Sequence, residues 1–133
     1  MNPGRILLAD KNPELARSMK YFLSQFRDVE VIGDVYILED TLNELKTLQP
    51  DLIIIDMNLC GANIQKTITD IKTVIKKGCL ILLTMYNQNE YDLAAEIKNV
   101  DGIISKDEIG TKLMPMIRKC FRHGQQNNQW ETV

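Results

Sequence analysis

The 133-residue chain has a single histidine, His123, close to its end. Histidine-rich metal sites and Ser-His-Asp triads therefore have almost nothing to build on. Cysteine is scarce as well: Cys60, Cys79 and Cys120 are odd in number, far apart in sequence and form no CxxC unit. That argues against a disulfide framework or a zinc ribbon and fits a reduced cytoplasm. An excess of one charge is missing too, since sixteen basic and eighteen acidic residues leave a formal charge of −2. A primary nucleic-acid or membrane-surface binder usually carries a basic excess. No apolar run approaches the length of a membrane span, and no signal-peptide pattern opens the chain. The expectation is a cytoplasmic protein without membrane contact.

What is present is enough for one domain with a real core: 44% of residues are hydrophobic. Short apolar runs "RILLA" (5–9), "VEVIG" (29–33), "DLIII" (51–55), "CLILL" (79–83) and "DGIIS" (101–105) read as five strands. Between them, apolar residues recur at helical spacing. Leu15, Met19, Phe22, Leu23 and Phe26 share one face, with Asn12 as cap and Pro13 in the first position. Ile64, Ile68, Ile71 and Ile75 form a second stripe, and Leu113, Ile117, Cys120 and Phe121 another. Helices are also predicted over 38–48 and 89–98. With a start near Thr111, the last helix would hold Pro115 at the limit of its first turn. Residues 123–133, polar and rich in Gln and Asn, read as a tail or linker after a domain of residues 1–122.

Strict βα alternation implies a parallel sheet with helices on both faces. Strands 1, 3 and 4 are continuously apolar, as buried parallel strands should be. Strand 2 alternates around Glu30, which suits an edge. The expected fold is α/β: a doubly wound five-stranded parallel sheet of flavodoxin-like order 2-1-3-4-5, with its ligand crevice at the carboxyl ends of the strands. That crevice would collect Asp10, Asp56, Thr84 and Lys106, one from each of four strand ends. Any one of them alone could be a turn residue or helix cap. Four suitable residues at four such ends are much harder to assign to turn chemistry.

The motifs "ILLAD", "PDLIIIDMNLCG", "LLT" and "GIISK", in this order and spacing, resemble the receiver domains of bacterial two-component response regulators over residues 4 to about 122. The resemblance implies that Asp56 accepts a phosphoryl group from a sensor histidine kinase or phosphotransfer protein. It implies that Lys106 contacts the phosphoryl oxygens and that Thr84 turns its hydroxyl to them. It implies magnesium held by Asp10, Asp56 and the backbone carbonyl of Asn58. It further implies a switch without enzymatic turnover of its own, with partner or homodimer contacts on the helix 4–strand 5–helix 5 face. These roles agree with the chemistry, because a carboxylate attacking phosphorus needs in-line positioning and charge neutralisation more than acid–base catalysis.

Three positions depart from the family pattern. Lys11 stands where a second acidic magnesium ligand is expected, so the side chains sum to two carboxylates against two ammonium groups. Magnesium binding is therefore expected to be weak or absent, with Lys11 either paired to Asp10 or Asp56 or turned out to solvent. Ile103 replaces the usual switch aromatic, leaving Tyr86 or Tyr91 as substitutes, and Cys60 stands in a loop position that usually carries proline. Nothing near Cys60 in sequence would activate it. The main alternative is a pseudo-receiver, an interaction or dimerisation module that works without phosphate. A phosphatase of the haloacid-dehalogenase type would need an aspartate at Asn58, and a flavodoxin would need a Ser/Thr/Gly-rich loop where "DKNPE" stands. No helix-turn-helix motif follows, so direct nucleic-acid contact is not expected.

Overall fold

The computed structural model describes residues 2–85 and 87–126, with side-chain surroundings as far as Arg122. Five strands, β1 (Gly4–Ala9), β2 (Val29–Val35), β3 (Leu52–Asp56), β4 (Cys79–Thr84) and β5 (Gly102–Ser105), pair in parallel in the order β2-β1-β3-β4-β5. They alternate with helices α1 (Pro13–Leu23), α2 (Leu38–Leu48), α3 (Ile64–Ile75), α4 (Gln88–Ala95) and α5 (Ile109–Gln126). The doubly wound sheet and its strand order are those the alternation predicts. As expected, β2 lies at one edge.

Two cores explain the uninterrupted apolar strands. Successive side chains of a strand point to opposite faces, so a strand covered on both sides must be apolar at every position. Ile6, Leu8, Ile54, Ile81 and Leu83 pack under α1 and α5 with Met19, Leu23, Leu113 and Ile117. Leu7, Ala9, Ile53, Ile55, Leu80 and Leu82 pack on the other face with Leu45, Ile68, Ile71 and Ala94 of α2, α3 and α4.

Helix ends are fixed by identifiable groups. The Asn12 side chain accepts hydrogen bonds from the Glu14 and Leu15 N–H groups at 3.0 and 3.4 Å and caps α1, with Pro13 following. At the end of α2, Gln49 turns left-handed (φ 45°). The Arg5 guanidinium donates to the Leu48 and Gln49 carbonyls at 2.8 and 2.9 Å, which would otherwise lack partners.

Two helix expectations need correction. Helix α4 ends at Ala95, before Ile97. The Gln65 side chain pairs with both backbone groups of Lys98, at 2.8 and 3.0 Å, and Asn99 adopts φ 72°. That pairing holds the segment out of the helix. Helix α5 starts at Ile109, so Pro115 lies in its interior and not in its first turn. Both Pro115 and Thr111, whose carbonyl would have received the missing hydrogen bond, are exposed. Water can satisfy that carbonyl, which lowers the cost of an internal proline. The helix also runs through Gln126, beyond the expected boundary at Arg122. Residues 127–133, and Tyr86, lie outside the described residues.

Two sheet glycines lie directly against side chains of α5. A Cβ on Gly4 would sit 2.2 Å from the ring of Phe121, and one on Gly102 would sit 2.5 Å from Met116 Sδ. Gly4→Ala should therefore overpack this layer and destabilise the protein by roughly 1–3 kcal/mol, read as a lower urea midpoint at unchanged slope. An unchanged midpoint would show that Phe121 does not cover Gly4.

Candidate functional site

The carboxyl ends of β1, β3 and β5 bring three charged side chains together. Lys106 Nζ lies 3.0 Å from Asp10 Oδ2 and 3.4 Å from Asp56 Oδ2. Asp10 and Asp56 are only 2% and 3% exposed. Lys106 follows β5 directly, and its side chain is 16% exposed, so its ammonium reaches into the crevice from the rim. Two buried carboxylates side by side repel each other, and one shared ammonium is the minimum that keeps both charged. Burial pushes the Asp56 carboxyl above its usual range and the Asp10 charge adds to this. The Asn58 N–H and the Lys106 ammonium pull against the shift.

Backbone contacts aim each carboxylate. Asp10 Oδ1 accepts the Asn12 N–H at 2.8 Å, which leaves Oδ2 facing Lys106. Asp56 Oδ1 accepts the Asn58 N–H at 3.2 Å and thereby caps the 3-10 turn Met57–Cys60, again leaving Oδ2 for Lys106. The turn is pinned further by Thr67, whose buried hydroxyl donates to the Cys60 carbonyl at 2.5 Å. Thr67 was not singled out from sequence, because its partner is known only once α3 has docked. Cys60 is itself buried, its Sγ 3.7 Å from the Asp56 carbonyl oxygen, and burial pushes its thiol up to about 12. Burial and a raised thiol are the opposite of an activating environment.

Thr84 is the last residue of β4 and fully buried, and its hydroxyl has no hydrogen-bond partner among the described residues. An orphaned buried hydroxyl costs about 1–3 kcal/mol. Its neighbour Leu83 is in register with Asp56, and Thr84 itself with Ser105, just before Lys106. Asn58 is exposed, with its backbone in the turn beside Asp56. Of the five predicted site residues, the structure thus joins Asp10, Asp56 and Lys106 by direct contact, ties Asn58 to Asp56 through its backbone, and gives Thr84 no polar contact.

Lys11 takes the outward alternative. It is exposed and makes no ion pair among the described residues. Pairing of Lys11 with Asp10 or Asp56 is thereby overturned, because Lys106 already holds the facing oxygen of each. The formal sum of Asp10, Asp56 and Lys106 is −1 and not the zero expected with Lys11 included.

Among the described residues no cluster of three or more His, Cys, Asp or Glu exists. The crevice does offer two hard carboxylates, and Asp10 Oδ2 accepts no aligned hydrogen bond even though Lys106 Nζ lies 3.0 Å away. Such a donor set fits magnesium, which binds through one or two carboxylates and keeps several waters.

Beside the crevice, a cleft of about 350 Å³ opens between the start of α4 and the start of α5, lined by Met85, Gln88, Tyr91, Ser105 and Lys112 among others. Among the described residues Tyr91 is the aromatic that lines this cleft, and it is half-exposed; Ile103, at the usual switch position, packs against the core on the α2–α4 side. No described helix is long and apolar enough to cross a membrane.

Comparison with known proteins gives this geometry a context. A model of the response regulator receiver domain matches residues 6–118. The nitrate/nitrite response regulator protein NarL of Escherichia coli K12 is 30% identical over 105 residues, covering 79% of this chain and 49% of NarL. This chain spans about half the length of the curated relatives it matches. A CheY-like receiver domain protein from Methanospirillum hungatei JF-1 shares the fold, with a TM-score of 0.79 at 18% identity over 95% of this chain and 99% of that one. RcsB from Salmonella enterica serovar Typhimurium, solved bound to promoter rprA in the presence of phosphomimetic BeF3−, superposes with a TM-score of 0.76 at 23% identity over 88% of this chain and 98% of that one. The chain belongs to the response regulator receiver domain family, the signalling modules of two-component systems.

Proposed function

We propose that this chain is the phosphoacceptor switch of a cytoplasmic phosphorelay, receiving a phosphoryl group on Asp56 from a sensor histidine kinase or a phosphotransfer protein. The observation that carries this reading is the buried Asp10–Lys106–Asp56 arrangement, in which one ammonium serves two carboxylates. In the transfer, an Asp56 carboxylate oxygen forms the new bond to phosphorus as the donor's bond to phosphorus breaks. Lys106 is already within 3.4 Å of Asp56 Oδ2 and balances charge on the transferred group. The unpartnered Thr84 hydroxyl has an O–H free to donate to a phosphoryl oxygen. Asp10, Asp56 and the Asn58 carbonyl are the groups that would hold magnesium, and a bound divalent cation would supply further neutralisation of the phosphoryl oxygens.

The added group brings roughly −1.5 to −2 of charge and three acceptor oxygens, on the values known for phosphorylated hydroxyl side chains. Thr84 and Lys106 sit at the ends of the strands that feed the α4–β5–α5 face, so that face is the proposed partner or homodimer surface.

The direct experiment is exposure to acetyl phosphate or beryllofluoride with magnesium, followed by intact mass and NMR spectra. Asp56 should carry the adduct, Asp56→Asn should lose it, and shift changes should concentrate between Met85 and Phe121. An equal adduct on Asp56→Asn, or changes confined to α1 and α2, would contradict the reading and favour a phosphate-independent module. Magnesium is expected to bind weakly, since Lys11 supplies no ligand and adds positive charge near the site. Lys11→Asp should strengthen magnesium binding roughly tenfold, about 1.4 kcal/mol, in a calorimetric titration. An unchanged affinity would mean that position 11 lies outside the cation's reach.

A further inference from the structure

Two cysteines that are distant in sequence meet in the fold. Cys79 opens β4, and Cys120 lies on the sheet-facing side of α5. Cys79 Sγ sits 3.6 Å from the Cys120 backbone carbonyl oxygen, and Cys120 Sγ sits 4.0 Å from the Asp101 carbonyl oxygen, so both side chains share one buried corner between β4 and α5. The absence of any CxxC spacing gave no hint of this, because the contact depends on α5 crossing back over β4. The third cysteine, Cys60, lies in the other core layer, beside Asp56.

The pair is at the opposite end of the sheet from the phosphoacceptor. Cys79 is in register with Leu52, the first residue of β3, whereas Asp56 is its last. Neither phosphoryl transfer nor metal binding has a use for two thiols at that end. Their environment is also asymmetric. Their mutual proximity lowers the Cys120 thiol and raises that of Cys79; the Lys72 and Lys119 ammonium groups further favour a Cys120 thiolate, while burial and Asp101 oppose it. Two neighbouring thiols of unequal acidity separate an attacking sulfur from a resolving one.

We propose that Cys79 and Cys120 form a peroxide-sensitive thiol pair that closes to an intramolecular disulfide and staples α5 to the start of β4. The Cys120 thiolate attacks one oxygen of hydrogen peroxide, the O–O bond breaks, and hydroxide leaves and takes up the proton that Cys120 had released. Cys120 is now a sulfenic acid. The Cys79 sulfur attacks the Cys120 sulfur, the S–O bond breaks, and the departing hydroxide takes the Cys79 proton. In sum, two thiols and one peroxide give one disulfide and two waters. Cys79 and Cys120 are 9% and 5% exposed, so a compact oxidant is favoured over a bulky disulfide. The bond would tether the helix that borders the proposed output face at the end remote from Asp56.

The test is graded treatment of the folded full chain with hydrogen peroxide, followed by alkylation of free thiols and non-reducing peptide mapping. The expected product has lost the mass of two hydrogens, links the Cys79 and Cys120 peptides, leaves Cys60 alkylatable and reverts with dithiothreitol. It should also unfold at a higher temperature than the reduced protein, since the link constrains the unfolded chain. In Cys79→Ser, a sulfenic-acid trap such as dimedone should label Cys120. Oxidation of Cys60 ahead of the pair would overturn the proposal. So would a link only between two molecules, or sulfinic acids without any cross-link. Because the cross-link is read in the unsubstituted protein, failure of a serine variant to fold does not affect the outcome.

Discussion

The site depends on one ammonium group shared between two buried carboxylates. Asp10 and Asp56 could not both be charged and almost fully buried without Lys106 across them, and Lys106 reaches them only because β5 lies beyond β4 in the sheet. The balance is incomplete. Burial raises the Asp56 carboxyl above its ordinary value, so the folded chain holds that proton more tightly than the unfolded chain does. Stability from this group is fully present below the ordinary aspartate pKa and is lost as pH rises through the raised folded value. Burial thus disfavours the charged form of this carboxyl relative to an exposed aspartate. An incoming cation or a transferred phosphoryl group changes the charge at just this point, so the site is poised to respond to ligation.

The same logic reaches outward through the loop after β3. The Asp56 side chain holds the Asn58 N–H, the Cys60 thiol approaches the Asp56 carbonyl, and Thr67 holds the Cys60 carbonyl. These contacts run from Asp56 to α3 without a gap. At the other side, Thr84 ends β4 with a buried hydroxyl that has no partner among the described residues. One side of the crevice is thus fully tied, and the other holds a group with unused hydrogen-bonding capacity. That asymmetry favours α4, β5 and α5 as the elements that report the state of Asp56.

Much of this was legible in the residue pattern. Apolar runs such as Leu52–Ile55 have no helical period and need two covered faces, which identifies a central parallel strand. Once the strand order is fixed, Asp10, Asp56 and Lys106 must converge, because parallel strands end on one side. What stayed hidden depends on tertiary contacts between distant residues. The direction of Lys11 is decided by Lys106 occupying the oxygens it could have reached. The early end of α4 is decided by Gln65, thirty-three residues before Lys98. Pro115 is tolerated inside α5 because that turn faces solvent, and Cys79 finds Cys120 only when α5 packs against the sheet. No local spacing encodes any of these.

The most direct test of the account is the titration of Asp56 itself, followed by carboxyl-carbon NMR in the unphosphorylated, magnesium-free protein and in Lys106→Met. Asp56 should titrate above an ordinary aspartate, and removal of the ammonium should move it higher still, since Lys106 is what holds the shift in check. A midpoint at or below the ordinary aspartate value, or one that Lys106→Met leaves in place, would contradict the claim that a single shared lysine governs the charge of Asp56.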